Sequence, residues 1–208
     1  MLDLDEYLLD PCGSSSIPYW KTLSVSVPSN MKILHHGDFT AEAFRDYTDE
    51  PYFRLLHDLR QLPAAVLPAG HSVCTATLGE FATHICDCYG SDCMTEALLS
   101  DLTKRDVYDA ALWLAVRDDQ TGRIVASGIA ELDKRIGEGV LEWIQVSADH
   151  RRKGLGRFVV TELLHRMKAS ARFATVSGQC NNPTCPEELY RSCGFAGNDV
   201  WHILRKKG

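Results

Sequence analysis

Apolar and polar residues recur with two different periods over residues 70–208, which we take as the main domain. Stretches of period two predict strands, and stretches with a period near 3.6 predict helices. The predicted strands cover residues 72–76, 111–117, 123–132, 140–146, 173–178 and 199–205, and the predicted helices cover 77–89, 95–107, 155–170 and 187–193. Since strands and helices interleave without repeats, the sequence predicts a mixed α/β (α+β) domain built on one sheet.

Residues 1–69 show a weaker pattern, and we interpret them as an N-terminal extension that packs on the main domain. Glycine, serine and proline interrupt any period over residues 1–30. A helix is predicted over residues 49–62, because Asp49 can cap it and Pro51 suits its first turn. Two prolines that follow this segment mark the boundary of the extension.

The composition is that of a folded, acidic protein. Of the 208 residues, 45% are hydrophobic, which supports a real core, and the formal net charge is −6. This charge argues against a nucleic-acid partner. The first residues are acidic and no apolar run reaches the length of a membrane span, so we expect neither a signal peptide nor a membrane partner. The eight cysteines are then expected to be reduced thiols in a cytoplasmic protein.

A short basic loop with two glycines joins the predicted strand 140–146 to the predicted helix 155–170. The first amide groups of a helix lack intrahelical partners and lie at the positive end of its dipole. Because Gly154 and Gly156 have no Cβ, a bulky anion can approach these amides. The flanking arginines and lysine strengthen the attraction, although a solvated basic patch would have the same composition. The loop therefore predicts a cradle for a pyrophosphate group.

Two motifs in the main domain carry a family resemblance. Residues 151–156 match the loop pattern Q/R-x-x-G-x-G/A, and residues 190–195 match the pattern Y-x-x-x-G-F. With a strand before each motif, the chain from about residue 72 to residue 207 resembles the GNAT superfamily of acetyl-CoA-dependent N-acetyltransferases. The resemblance implies a mixed, mostly antiparallel sheet with splayed central parallel strands, flanked by helices.

The resemblance also implies the donor and its binding site. Acetyl-CoA would be the co-substrate, with its pyrophosphate on the loop amides and its pantetheine arm along the strand before the loop. The amides of that arm would pair with the strand backbone, and an asparagine after the next strand would contact the arm. The residues expected to bind the cofactor are Ile144, Gln145, Val146, Arg151, Arg152, Lys153, Gly154, Leu155, Gly156, Arg157 and Asn182.

The same resemblance implies that Tyr190 is the general acid, since a phenol near the sulfur can protonate the departing CoA thiolate. For the general base, the residues favour Glu142, a carboxylate in an otherwise apolar strand that alternation places on the side of Ile144 and Val146. Glu131 and Asp133 are rivals. A chain of water molecules is a further alternative to a single basic residue.

No metal is expected. The segment with His84, Cys86, Cys88 and Cys93 does not have the spacing of a standard zinc site. Cys193 lies next to the second motif, but without a histidine and an oxyanion site it is interpreted as a small core residue.

The chain departs from the family pattern at both ends. After Phe195 the remaining residues leave room for one strand, where the family commonly has two. We expect the N-terminal extension to replace the missing wall of the acceptor site. Its candidate contacts are the aromatic residues Tyr19, Trp20, Tyr52 and Phe53.

The leading function predicted from these motifs is direct transfer of an acetyl group to a primary amine in a ternary complex. An acidic protein would favour a cationic acceptor, either a small molecule or a protein amine. A non-catalytic acyl-CoA-binding or sensing module is the alternative, because the donor loop alone does not require turnover. A nucleotide-binding protein is disfavoured because the loop lacks the Lys-Ser/Thr pair of a P-loop. The chain could act alone or as a homodimer.

Overall fold

The computed structural model describes residues 2–90 and 94–207. The chain divides into two compact units. The central unit comprises Asp58–Ala174 and Ser192–Gly194, and the terminal unit comprises Met1–His57, Thr175–Arg191 and Phe195–Gly208. The mixed α/β class with mostly antiparallel strands, which the sequence predicted, is confirmed.

The central unit contains four antiparallel strands in the order β3-β4-β5-β6 and three helices. Its elements are β3 (His71–Cys74), α3 (Leu78–Tyr89), α4 (Glu96–Leu102), β4 (Trp113–Asp118), β5 (Ile124–Asp133), β6 (Glu138–Val146) and α5 (Leu155–Met167). All seven were predicted from the sequence, with ends that shift by a few residues. The capping box at the start of α3 is present, because Thr77 and Glu80 exchange both of its hydrogen bonds.

Helices cover both faces of the strands in the central unit. On one face α5 packs so closely that a Cβ added to Gly128 would lie 2.6 Å from Val159 Cγ1 and 2.8 Å from Leu163 Cδ1. On the other face Phe81 and Ile85 of α3 belong to a buried apolar cluster with strand and α4 residues. The burial of β5 and β6 on both faces explains why their sequences are almost continuously apolar.

The terminal unit joins residues from the two ends of the chain. Its elements are α1 (Leu4–Leu9), α2 (Tyr19–Thr22), β1 (Met31–His35), β2 (Tyr47–His57), most of β7 (Phe173–Gln179), α6 (Pro186–Ser192) and β8 (Ala196–Lys206). The strand order is β1-β8-β2-β7. The N-terminal strand β2 therefore lies between two strands that come from the other end of the chain.

The helix predicted over residues 49–62 is wrong, because residues 47–57 form strand β2. The strand pairs antiparallel with β8 from Tyr47, opposite Lys206, to Leu56, opposite Ala196. Pro51 is tolerated although it has no N–H group, and its carbonyl accepts a hydrogen bond from the backbone of the residue after β7. Residues 49–51 resemble the start of a helix, but pairing with a distant strand decides the structure of this segment. The periodicity of neighbouring residues does not reveal such pairing.

Arg54 of β2 anchors the N-terminal residues in the terminal unit. Its side chain is only 1% exposed. The guanidinium donates to the carbonyls of Pro11 at 3.3 Å and Ser16 at 3.4 Å, and to the hydroxyl of Tyr7 at 3.0 Å. It also donates to the hydroxyl groups of two β7 residues, Thr175 and Ser177. The N-terminal segment is therefore integrated into the unit through a buried cation, while a domain boundary at residue 69 stays a prediction.

Among the helices in the described ranges, none is long and apolar enough to cross a membrane.

Candidate active site

The basic loop leads from β6 into an uncapped helix. A 3-10 turn (Ala148–His150) follows β6, and Gly154 stands directly before α5 with a left-handed φ of 89°. No side chain caps α5, and the amide of Phe158 bonds to the carbonyl of Gly154 at 3.0 Å. The amides of the helix's first turn therefore have no side-chain acceptor. This local geometry is that of an anion cradle.

Four cations surround this cradle, and all four are exposed. Arg151 donates from Nε to the carbonyl of Val146 at 3.1 Å, so one of the cations also fastens the loop to the end of β6. Within the described chain, Arg152, Lys153 and Arg157 have no carboxylate at ion-pair distance. Their charge is available to an anionic ligand, and Arg152 adopts a left-handed φ of 62° that shapes the turn.

A β-bulge interrupts β6 at Glu142. The ladder with β5 pairs Ala130 with Leu141 but Ile129 with Trp143, so Glu142 is the extra residue. The strict alternation of side chains between the two faces therefore does not extend across Glu142. The expectation that Glu142 shares a face with Ile144 and Val146 depended on that alternation, and it is no longer supported. Glu142 itself is half-buried.

Two carbonyls expected to bind the pantetheine arm already accept side-chain hydrogen bonds. The hydroxyl of Tyr89, at the end of α3, donates to the carbonyl of Ile144 at 3.2 Å. Arg151 donates to the carbonyl of Val146. A carbonyl oxygen has two lone pairs, so each can accept a second donor or exchange the first one. No local pattern pointed to Tyr89, because its contact joins two elements that are far apart in the chain.

The side chain of Gln145 belongs to an internal polar network. It is 5% exposed, and its Nε2 donates to the hydroxyl of Ser127. The same hydroxyl lies 2.8 Å from Nδ1 of His84, whose Nε2 lies 3.1 Å from the hydroxyl of Ser147. Burial lowers the pKa of His84. The Nε2 group of Gln145 is therefore already used within the protein.

The cysteines near His84 make separate contacts. The thiol of Cys86 donates to the carbonyl of Met94 at 3.1 Å, and the sulfur of Cys88 lies 3.6 Å from Nε2 of His84. Cys93 lies outside the described residues. These contacts are those of packed polar groups.

The two rival bases are engaged in ion pairs. Glu131 is 5% exposed and accepts from Arg105 at 2.9 Å. Asp133 is 3% exposed and pairs with Arg135 at 3.2 Å. Both rival carboxylates are therefore already paired with a guanidinium.

Tyr190 is held in the core of the terminal unit. It lies in α6, is 6% exposed, and its ring centroid is 6.1 Å from that of Phe53 and 5.8 Å from that of Phe195. Phe53 is itself buried, and a Cβ on Gly178 would lie 2.6 Å from its Cζ. Phe53, named as a candidate acceptor contact, is thus a packing residue that fixes the ring of Tyr190.

Asn182 and Cys193 have local roles. The side-chain oxygen of Asn182 accepts from the amide of Thr184 at 2.9 Å and from its hydroxyl at 2.8 Å. Only its amide nitrogen is left for a ligand. Cys193 is fully buried, and burial raises the pKa of its thiol, which fits a packing role. Of the predicted site residues, those of β6 and the loop lie in the central unit, whereas Tyr190 and Asn182 lie in the terminal unit.

Known proteins match this combination of elements. Residues 109–196, which include both sequence motifs, match the family model of the acetyltransferase (GNAT) domain. A GCN5-related N-acetyltransferase from Sphaerobacter thermophilus is 19% identical with a TM-score of 0.67, covering 90% of this chain and 63% of that one. An acetyltransferase of the GNAT family from Colwellia psychrerythraea is 16% identical with a TM-score of 0.61, covering 90% and 69%.

A smaller neighbour is the ribosomal-protein-S18-alanine N-acetyltransferase from Escherichia coli, which is 18% identical with a TM-score of 0.50. The match covers 64% of this chain and 91% of that one. The chain spans less than two thirds of the Sphaerobacter protein. At these identities the likeness shows the fold. No curated protein sequence matches the chain.

The fold and the loop before α5 are those of a GNAT acetyltransferase domain. Residues 109–196, which contain both predicted motifs, match the acetyltransferase (GNAT) domain, and the chain has the GNAT fold.

Proposed function

We propose that the protein transfers an acetyl group from acetyl-CoA directly to a primary amine in a ternary complex. The observation that carries this proposal is the uncapped start of α5 with its unpaired cations, directly after a bulged strand. Loop amides would hold the pyrophosphate, and Arg152, Lys153 and Arg157 would neutralise its charge. Backbone groups at Ile144, Gln145 and Val146 would pair with the pantetheine arm.

The reaction needs one acid and one proton acceptor. The amine nitrogen attacks the thioester carbonyl, the carbon–sulfur bond breaks, and the CoA sulfur takes a proton. We assign the proton donor to Tyr190, which matches the family motif and whose ring is fixed by Phe53 and Phe195. We assign the acceptor of the amine proton to Glu142, the carboxylate at the bulge of β6.

The acceptor amine is proposed to be cationic before it reacts. The net charge of −6 attracts cations to the protein. Strand β2 of the N-terminal segment lies between β8 and β7, which supports a role for this segment in the acceptor wall. Tyr52 of this strand accepts from Gln179 at 3.1 Å and is half-buried, so it remains a candidate contact. A reducing, cytoplasmic compartment suits the free thiols of the described cysteines.

The decisive experiment measures acetyl-CoA affinity by calorimetry and thiol release with a panel of primary amines. We expect Tyr190→Phe to lower kcat by about 100-fold or more while the Kd for acetyl-CoA stays nearly unchanged. Tyr47→Phe, which removes a phenol hydroxyl from β2 of the same unit, is the matched control. Glu142→Gln should lower kcat most at low pH, where less of the amine is free.

Three outcomes would contradict parts of the proposal. Binding of acetyl-CoA without thiol release for any amine would indicate a sensing module. Equal kcat values for Tyr190→Phe and the wild type would remove Tyr190 as the acid. An unchanged Glu142→Gln variant would favour a water chain as the proton acceptor.

A further inference from the structure

Three side chains from separate segments of the central unit meet beside the donor loop. They are His71 at the start of β3, Asp118 at the end of β4 and His150 in the 3-10 turn before Arg151. One ligand atom from each lies within 4.8 Å of the other two. We infer that His71, Asp118 and His150 form a binding site for a divalent transition-metal ion of the zinc class. This inference does not depend on acetyl transfer.

The tautomer of His71 leaves a lone pair for a metal. Its Nδ1 lies 3.0 Å from the carbonyl of Ala69 and 3.3 Å from that of Pro68, so Nδ1 carries the proton and donates it. Its Nε2 is buried and has no hydrogen-bond partner. A metal-binding imidazole commonly has this arrangement, with one nitrogen fixed by a carbonyl and the other facing the ion.

The carboxylate of Asp118 is held in place by its own turn. Its Oδ1 accepts from the amide of Thr121 at 2.7 Å, from the hydroxyl of Thr121 at 2.9 Å and from the amide of Gln120 at 3.1 Å. These donors fix the orientation of the carboxylate. Asp118 is also the direct cross-strand partner of His71 in the ladder of β3 and β4. Two of the three ligands are therefore positioned by the sheet itself.

His150 completes the set. Its Nε2 lies 3.5 Å from Oδ2 of Asp118, and its ring centroid lies 6.0 Å from that of His71. A tetrahedral zinc ion, with bonds of about 2.0–2.2 Å, needs ligand atoms about 3.3 Å apart. The pair of Asp118 and His150 nearly meets this spacing, and the ligand atom of His71 lies within 4.8 Å of both.

The alternative to a metal site is an ordinary hydrogen bond between Asp118 and His150, which explains fewer of the observed contacts than a bound ion does. It would leave Nε2 of His71 buried without a partner. Such orphaned polar atoms are rare in folded proteins. A bound ion would satisfy the lone pair of His71 and still leave a fourth position open for water or an anion. The expectation of no metal, drawn from the cysteine spacing, did not consider these three distant residues.

The ion would fasten the donor loop to the edge of the sheet. His150 directly precedes Arg151, which bonds to the carbonyl of Val146. Metal binding would thus join β3 and β4 to the segment that leads into α5. We therefore expect the metal to raise the melting temperature of the full chain.

The test uses the full chain, stripped with a chelator that is then removed, and titrated with Co²⁺ and Zn²⁺. We expect one ion per chain, and a Co²⁺ spectrum with ligand-field bands but without a thiolate charge-transfer band. Asp118→Asn retains an oxygen for the Thr121 and Gln120 donors, and should weaken binding by at least about tenfold. His150→Gln should do the same. His165→Gln is the control, because His165 bonds to Pro63 outside the cluster.

Two results would overturn the inference. A strong thiolate band would assign the ion to cysteines. Unchanged affinity in His150→Gln would show that the cluster does not ligate the ion, even if Asp118→Asn failed to fold. Equal melting temperatures of stripped wild type and stripped His150→Gln would confirm that the variant is folded.

Discussion

The hydroxyl of Tyr89 donates a hydrogen bond to the carbonyl of Ile144, with the two oxygens 3.2 Å apart. This bond connects the last residue of α3 to the strand that leads into the donor loop. The ring of Tyr89 also packs edge-on against Trp143, with centroids 5.7 Å apart. If a ligand amide pairs with Ile144, the phenol and the ligand compete for one carbonyl oxygen.

The first prediction concerns this competition. Tyr89→Phe should tighten acetyl-CoA binding about twofold to tenfold, because one hydrogen bond of about 0.5–1.5 kcal/mol no longer has to be exchanged. Calorimetry with the wild type and with Tyr108→Phe, a phenol elsewhere in the central unit, measures the effect. Weaker binding in Tyr89→Phe would instead mean that the hydroxyl itself contacts the ligand.

The second prediction concerns the left-handed backbone before α5. Gly154→Ala should lower the free energy of unfolding by about 1–2 kcal/mol, because φ at Gly154 is 89°. It should also weaken acetyl-CoA binding, since a methyl group would stand beside the first amides of the helix. Gly122→Ala is the control, with a φ of 70° and nothing within 4 Å of an added Cβ. It should show the same loss of stability with unchanged affinity, as measured by urea denaturation and calorimetry. Equal affinities for both variants would argue against a donor site at the loop.

The third prediction concerns the buried cation of the terminal unit. Arg54→Ala should lower the free energy of unfolding by about 3 kcal/mol or more, since Pro11, Ser16 and Tyr7 lose their shared donor. Arg205→Ala, which removes a half-exposed arginine 3.7 Å from Glu50, should cost less than about 1 kcal/mol. Urea denaturation compares the two variants. Similar losses would mean that the network around Arg54 adds little to stability.

The fourth prediction concerns pH. Burial lowers the pKa of His84 below its ordinary value of 6.5, so the unfolded chain binds this proton more readily than the folded chain. The contribution of His84 to stability is therefore complete above pH 6.5, and it is lost as the pH falls through the lowered pKa. His84→Gln should flatten the dependence of unfolding free energy on pH in this window. His165→Gln should leave the slope as it is in the wild type, and a slope shared by all three proteins would exclude His84 as its source.

The sequence predicted the central unit well because its signals are local. The capping residue Thr77 and the glycines of the loop can each be read within a few neighbouring positions. The strand nature of residues 47–57 could not be read in this way, because it depends on a partner at the other end of the chain. The bulge at Glu142 could not be predicted either, because it depends on how β6 pairs with β5 and not on the sequence of β6 alone.

At the candidate site, contacts between distant segments could not be predicted from the sequence either. The hydrogen bond from Tyr89 to Ile144 and the cluster of His71, Asp118 and His150 unite residues that share no local pattern. Period and spacing describe neighbours along the chain. The polar contacts described above form between elements that are distant in the sequence.

The position of β2 has a consequence for the folding rate. Tyr47 pairs with Lys206, so the strand must find a partner at a sequence separation of about three quarters of the chain. Contacts of this range close large loops and slow the folding of a domain. Strand β2, with Phe53 and Arg54, has no ladder to join until β7 and β8 are available. We therefore expect two kinetic phases in refolding, with the local antiparallel strands of the central unit forming first and the burial of Arg54 reporting the slower one.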